Sequence, residues 1–93
     1  MKILAMSQEV PGTPWESLGD LLKEESRTAL QMYYDEVFRE IYFTEEGEAV
    51  IILECTGKDE ARAMLDKLPL VINGYITFQL LELHPYTGFS RLM

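Results

Sequence analysis

Cysteine, histidine and tryptophan are each used once in this sequence, as Cys55, His84 and Trp15. A single cysteine rules out an intramolecular disulfide, and one cysteine with one histidine cannot supply the donors of a Cys-rich zinc site. The simplest setting for an unpaired thiol is a reducing interior, so a cytoplasmic location is expected. Basic residues are scarce as well: 8 Lys and Arg stand against 16 Asp and Glu, a net charge of −8. Such a field repels phosphate backbones and anionic membranes, which argues against nucleic-acid and membrane partners. No apolar run reaches the ~18 residues a membrane helix needs. The apolar opening from Met1 to Ser7 is too short for a signal peptide and reads as a first strand. There is no internal repeat, no low-complexity segment, no Gly-rich phosphate loop, no Ser-His-Asp order and no cluster of metal ligands. No cofactor is therefore expected.

What is present is a 93-residue chain that is 47% hydrophobic. That suits one domain with a modest core, which association would extend. Pro11-Gly12 ends the opening strand. Thr13-Pro14-Trp15-Glu16 then has the form of a capping box with proline at the first helical position. A helix is expected from about residue 14 to about residue 33, with Trp15, Leu18, Leu21, Leu22, Ala29, Met32 and Tyr33 on one side. Val37 to Phe43 is rich in aromatic and β-branched residues and reads as a strand. Thr44-Glu45-Glu46-Gly47 reads as a turn, and the continuously apolar Ala49 to Leu53 as the returning strand of a hairpin. A second helix begins at Thr56 or Gly57, carries Ala61, Met64, Leu65 and Leu68 at helical spacing, and stops at Pro69. Asn73-Gly74 is a turn, Tyr75 to Leu83 the last strand, and residues 85–93 a tail.

The order strand, helix, strand, strand, helix, strand predicts an α+β, ferredoxin-like βαββαβ sandwich with a four-stranded antiparallel sheet. The helices can cover one face of that sheet only. The hairpin's second strand and the last strand are apolar on both faces, so a second copy of the chain is the expected cover for the other face. Tyr86 and Phe89 in the tail suit subunit contacts.

Several residues can carry chemistry. Glu25 interrupts the apolar stripe of the first helix. It is either a base whose pKa is lifted by burial or a carboxylate at the wet edge of the stripe. If Phe43 pairs with Glu48, Arg39 lies opposite Ile52 and diagonal to Glu54. That allows either a cross-strand ion pair or a site for an anionic group. In the same register Glu40 and Tyr42 share a face with Ala49, Ile51 and Leu53. Glu40 is then a pocket base with Tyr42 as donor, or the partner of a buried donor. His84 is the only imidazole, suited to acid–base work or simply to ending a strand before Pro85. Thr77 and Gln79 share a face of the last strand, and Cys55 reads as inert filling.

Leu68-Pro69-Leu70, the last strand and His84-Pro85 resemble the C-terminal half of muconolactone isomerases. Phe38-Arg39-Glu40-Ile41-Tyr42 is similar to their aromatic-Arg-His-Leu-Trp strand. Small members of that family also carry an Arg-Glu-x-Tyr strand and a Pro-Tyr-x-Gly-Phe-x-Arg-Leu ending, here Arg39 to Tyr42 and Pro85 to Leu92. The resemblance spans most of the chain and is weakest in the first helix. It implies a dimeric α+β barrel and a cofactor-free pocket between each sheet and its helices. The implied reaction is a proton shift in an unsaturated lactone. Glu40 stands where those isomerases have histidine, which separates the shared fold from the shared activity. Two functions follow as expectations. One is a cofactor-independent isomerase acting on a small ring or lactone compound, with Glu40, Tyr42 and His84 catalytic and Arg39 and Glu25 binding substrate. The other is a non-catalytic oligomeric protein that binds a small apolar or carboxylate-bearing ligand. The first requires a sizeable pocket. The second requires Glu25, Arg39 and Glu40 to be used up in internal pairs, with no sizeable pocket left.

Overall fold

A computed structural model describes residues 1–93. Alternation along the first strand, β1 (Lys2–Glu9), sends Ile3, Ala5 and Ser7 inward to full or near-full burial and the residues between them outward. The same period of two runs through β3 (Ala49–Glu54) and β4 (Ile76–Leu83), where Ile51, Leu53, Ile76, Phe78 and Leu80 are buried. These side chains meet Leu18 and Met32 from the first helical segment and Ala61, Leu65, Leu68 and Leu70 from the second, and together they form one core on one face of the sheet. With β2 (Phe38–Phe43) the sheet has the order β2-β3-β1-β4, every neighbouring pair antiparallel. This is the expected ferredoxin-like α+β arrangement. No helix is long and apolar enough to cross a membrane.

The first helix departs from expectation at its start. Thr13 does not cap it: the Thr13 hydroxyl donates to the Val10 carbonyl at 2.6 Å and lies 3.3 Å from the Tyr75 carbonyl, tying the loop to the foot of β4. A 3-10 turn (Trp15–Ser17) precedes the α-helix proper, α1 (Gly19–Tyr34), which begins without a side-chain cap. Its end is better built. The Val37 N–H reaches the Met32 carbonyl at 3.0 Å and the Glu36 N–H reaches the Tyr33 carbonyl at 3.1 Å. This pair of bonds closes the helix in a Schellman motif, with Glu36 at φ 61°, a conformation usually given to glycine.

The second helix is two helices. α2 (Lys58–Leu65) ends before Pro69, and Pro69 then opens the short α3 (Pro69–Ile72) from its first position. Proline stops one helix because a continuing helix needs the N–H that it lacks and its ring crowds the preceding turn, and it starts the next because the first helical position needs no N–H. Beyond β4 the tail forms a 3-10 turn (Gly88–Leu92), and Phe89 of that turn stacks edge to face on Tyr86 just before it, ring centres 4.9 Å apart. The tail's hydrogen bonds are internal to it. The molecule is 57 Å long with a radius of gyration of 15.0 Å, against ~12 Å for a compact chain of this size.

The hairpin register differs from expectation by one residue. Thr44 and Glu48 close the turn, with Gly47 at φ 88°, so Phe43 pairs with Ala49 rather than Glu48. Tyr42 then faces Val50, Ile41 faces Ile51 and Glu40 faces Ile52. A shift of one residue exchanges the two faces of a strand. Glu40 and Tyr42 therefore lie on the open face with Val50 and Ile52, not with Ala49, Ile51 and Leu53. A bulge at Arg39 restores the inward direction for Phe38, which pairs with Leu53 and is buried.

Candidate functional site

The site arises where β3 leaves β1. Their pairing runs from Lys2–Glu54 to Met6–Val50 and then stops, while β1 continues beside β4 to Glu9. The main-chain donors left at this fork need acceptors. Side chains supply them. The Ala49 N–H donates to Ser7 Oγ at 2.7 Å, and the Ser7 hydroxyl donates to Glu48 Oε1 at 2.8 Å. Glu48 Oε2 accepts the Glu9 N–H at 3.1 Å. The Glu9 carboxylate in turn accepts the Trp15 indole N–H at 2.7 Å, which fixes the ring across the end of β1.

Above this fork, between α1 and the β2–β3 side of the sheet, lies a half-open cleft of about 970 Å³. Its walls are mostly apolar, from Leu22, Ala29 and Leu30 of α1 and from Ile41, Ile51 and Phe78 of the sheet. That size and lining suit a small organic ligand.

Glu25 projects from α1 into the cleft wall and is half-buried. Its Oε1 accepts the Leu70 N–H at 2.9 Å and so caps the first turn of α3, while Oε2 has no protein partner. Burial raises its pKa from the usual glutamate value, and the Leu70 N–H bond offsets only part of that.

Of the other expected site residues, Arg39, Glu40 and Tyr42 lie along the β2 border of the cleft and His84 does not. The Tyr42 hydroxyl donates to Glu40 Oε1 at 2.7 Å on the open face. That bond first, and the carboxylate charge second, raise the Tyr42 pKa, so the phenol stays protonated. Arg39 borders the cleft from its bulge, its Nε donating to the Glu36 carbonyl at 2.6 Å. It is not opposite Ile52, and it forms no direct pair with Glu54. Glu54 instead holds the Met1 ammonium at 2.7 Å, and this bond first, with Arg39 a lesser cause, lowers its pKa. His84 is exposed at the end of β4, 3.4 Å from Glu82. β4 and β2 are opposite edges, so about 14 Å separates the His84 strand from the Glu40 strand. Thr77 and Gln79 face out on the open side, and Cys55 is buried. The structure thus brings Glu25 and Arg39 to one cleft, sets the Glu40–Tyr42 pair on the open face at that cleft's β2 rim, and leaves His84 apart.

Ser7, Glu9, Trp15 and Glu48 were not expected at a site. Ser7 carried a readable signal, as the one polar residue at the inward positions of β1 after Ile3 and Ala5. Glu48 carried none, since nothing local separates it from the solvated acids of the turn. No family model matches the chain, and no curated protein matches it.

Proposed function

We propose that this protein is a cofactor-free isomerase that moves a proton on a small unsaturated ring compound held between α1 and the sheet. Glu25 is the proton carrier. The observation that carries the reading is the position of that carboxyl, sunk in a mostly apolar cleft with one oxygen unclaimed. A carboxyl whose pKa is raised by its surroundings is better suited to both taking and returning a proton than an ordinary one. In the step proposed, the Glu25 carboxylate removes a proton from carbon between a carbonyl and a double bond. The C–H electron pair passes into the dienolate. The same carboxyl then delivers the proton to the far carbon, giving the conjugated isomer with no net loss of atoms. The unspent N–H groups of Arg39 at the exposed side of the cleft suit the developing oxyanion. The resemblance to muconolactone isomerases supports the reaction class, although the base is moved from Glu40 to Glu25.

The same reading has the protein working as a homo-oligomer. The open face carries Leu4, Met6, Val50, Ile52 and Leu81, with Lys2, Glu54, Gln79 and the Glu40–Tyr42 pair around them. An apolar centre with a polar rim suits a self-complementary contact between two sheets.

The test of the chemistry is proton exchange. Unsaturated lactones and cyclic enones incubated with the protein in heavy water should gain deuterium at the acidic carbon, by NMR. Glu25→Gln should abolish this while keeping an amide oxygen for the Leu70 N–H. Exchange that survives the substitution removes Glu25 from the mechanism. A second reading, a binding protein without catalysis, is favoured by one observation: Glu25, Arg39 and Glu40 each already have an internal partner. Saturable binding with no exchange by the unaltered protein would select it.

A further inference from the structure

The cleft's hydrogen-bonding groups are unequally spent, and this sets the chemistry of what it can hold. At the fork every donor is already used on a carboxylate or a hydroxyl. The Ala49 N–H is on Ser7, the Ser7 hydroxyl and the Glu9 N–H are on Glu48, and the Trp15 N–H is on Glu9. On the α1 side the Leu70 N–H is on Glu25, while the Ser26 and Tyr33 hydroxyls, further from the floor, are not engaged. What remains unfilled at the fork and at Glu25 is acceptor capacity: lone pairs of Glu9 and Glu48, one on Ser7 Oγ, and the whole of Glu25 Oε2. The charges agree. Of the ionisable acids and bases lining the cleft, Glu9, Glu25, Glu40, Glu46 and Glu48 are acidic, and Arg39 alone is basic. Ser7 is buried to 6% exposure, so an anion pressed onto this floor would lose water and gain no donor.

We infer that the cleft takes a compound with an apolar body and a hydrogen-bond-donating polar end, a hydroxyl or an ammonium group, seated on the Ser7–Glu48 floor, and that it turns carboxylates away. This rests on the cleft being the ligand site proposed above. It narrows the substrate to rings without a carboxylate. It also orients the substrate, with the donor end toward β1 and any carbonyl toward the exposed Arg39 side.

Three probes with one body separate the possibilities: cyclohexylmethylamine, cyclohexylmethanol and cyclohexanecarboxylate. Trp15 is the sole tryptophan and lines the cleft, so its emission reports occupancy. Backbone amide shifts of Ser7 and Ala49 report contact with the floor. The amine and the alcohol should both saturate these signals, and the carboxylate should bind at least about tenfold more weakly than the amine. Raising the salt should narrow the amine–carboxylate gap and leave the alcohol unchanged. Glu48→Gln should weaken the amine more than the alcohol. A carboxylate that binds as tightly as the alcohol overturns the inference while leaving the cleft a ligand site. An unchanged amine-to-alcohol ratio in Glu48→Gln also overturns it. If no probe saturates either signal, the cleft is not a ligand site, and both this inference and the function proposed above fall.

Discussion

Replacing Ser7 with alanine removes one oxygen and breaks the fork between β1 and β3. The Ser7 hydroxyl extends the ladder one rung past Met6–Val50 by accepting the Ala49 N–H at 2.7 Å, and it donates to the Glu48 carboxylate at 2.8 Å. With the oxygen gone, the Ala49 N–H is left without a partner in a part-buried place, a loss of about 1–3 kcal/mol. Glu48 loses one charge-assisted bond but keeps the Glu9 N–H and some access to water, so its share falls at the low end of about 1.5–3 kcal/mol. Partial relaxation and water entry bring the expected sum to about 2–3 kcal/mol. A domain of this length holds roughly 5–14 kcal/mol in all, so the change is a large fraction of the total. The melting temperature should fall by roughly 10–20 °C. Urea unfolding of Ser7→Ala, Glu48→Gln and the double variant gives the energies directly. The two changes should be non-additive by at least ~0.5 kcal/mol, because they share one hydrogen bond. A loss under ~0.5 kcal/mol for Ser7→Ala, or strict additivity in the cycle, refutes the claim that this hydroxyl joins the strands.

The pKa of Glu25 is raised in the fold, so its contribution to stability is complete below the unfolded value and is lost as pH climbs through the folded one. Between pH 4.5, the usual value, and pH 7, urea midpoints should therefore move in favour of Glu25→Gln relative to the parent; a constant difference would show that burial does not shift this carboxyl. Glu36 holds φ 61° at the end of α1, where Glu36→Gly relieves the left-handed strain and should stabilise the domain by about 1 kcal/mol in urea. No gain would mean that the Glu36 side chain compensates its own strain. Leu81 is 48% exposed on the open face, so Leu81→Asp should leave the protomer's fold intact by circular dichroism yet halve the sedimenting mass of a dimer. A parent protein that sediments as a single protomer at micromolar concentration would count against self-association through this face.

The order of elements was legible because the segments carry their own patterns: Ala61, Met64, Leu65 and Leu68 mark a helix, and the apolar run Ala49 to Leu53 a strand. The sandwich followed from that order and from the handedness of crossovers. The faces of β2 were not legible. They depend on whether Phe43 meets Glu48 or Ala49, which the turn decides, and on the bulge at Arg39, which no local pattern marks. One residue of register carried Glu40 and Tyr42 from the expected pocket side to the open side. Glu25 was visible as a carboxylate in an apolar stripe, but its partner, the Leu70 N–H, lies 45 residues away. Thr13 had the form of a cap, yet its hydroxyl is taken by carbonyls that only the folded chain brings near. The cleft itself lies between α1 and the β2–β3 side of the sheet, which is a relation between segments and not a property of either.

The irregularity at Arg39 bears on how copies of this protein can meet. β2 is an outer strand, and an unbroken outer strand offers an incoming one a row of matched amide and carbonyl groups, the route by which sheets lengthen into fibres. The extra residue spoils that row, and the guanidinium placed there would have to be stripped of water for a newcomer to dock. In-plane growth is blunted on this side, which leaves β4, paired with β1 without a register shift, as the one unbroken outer strand.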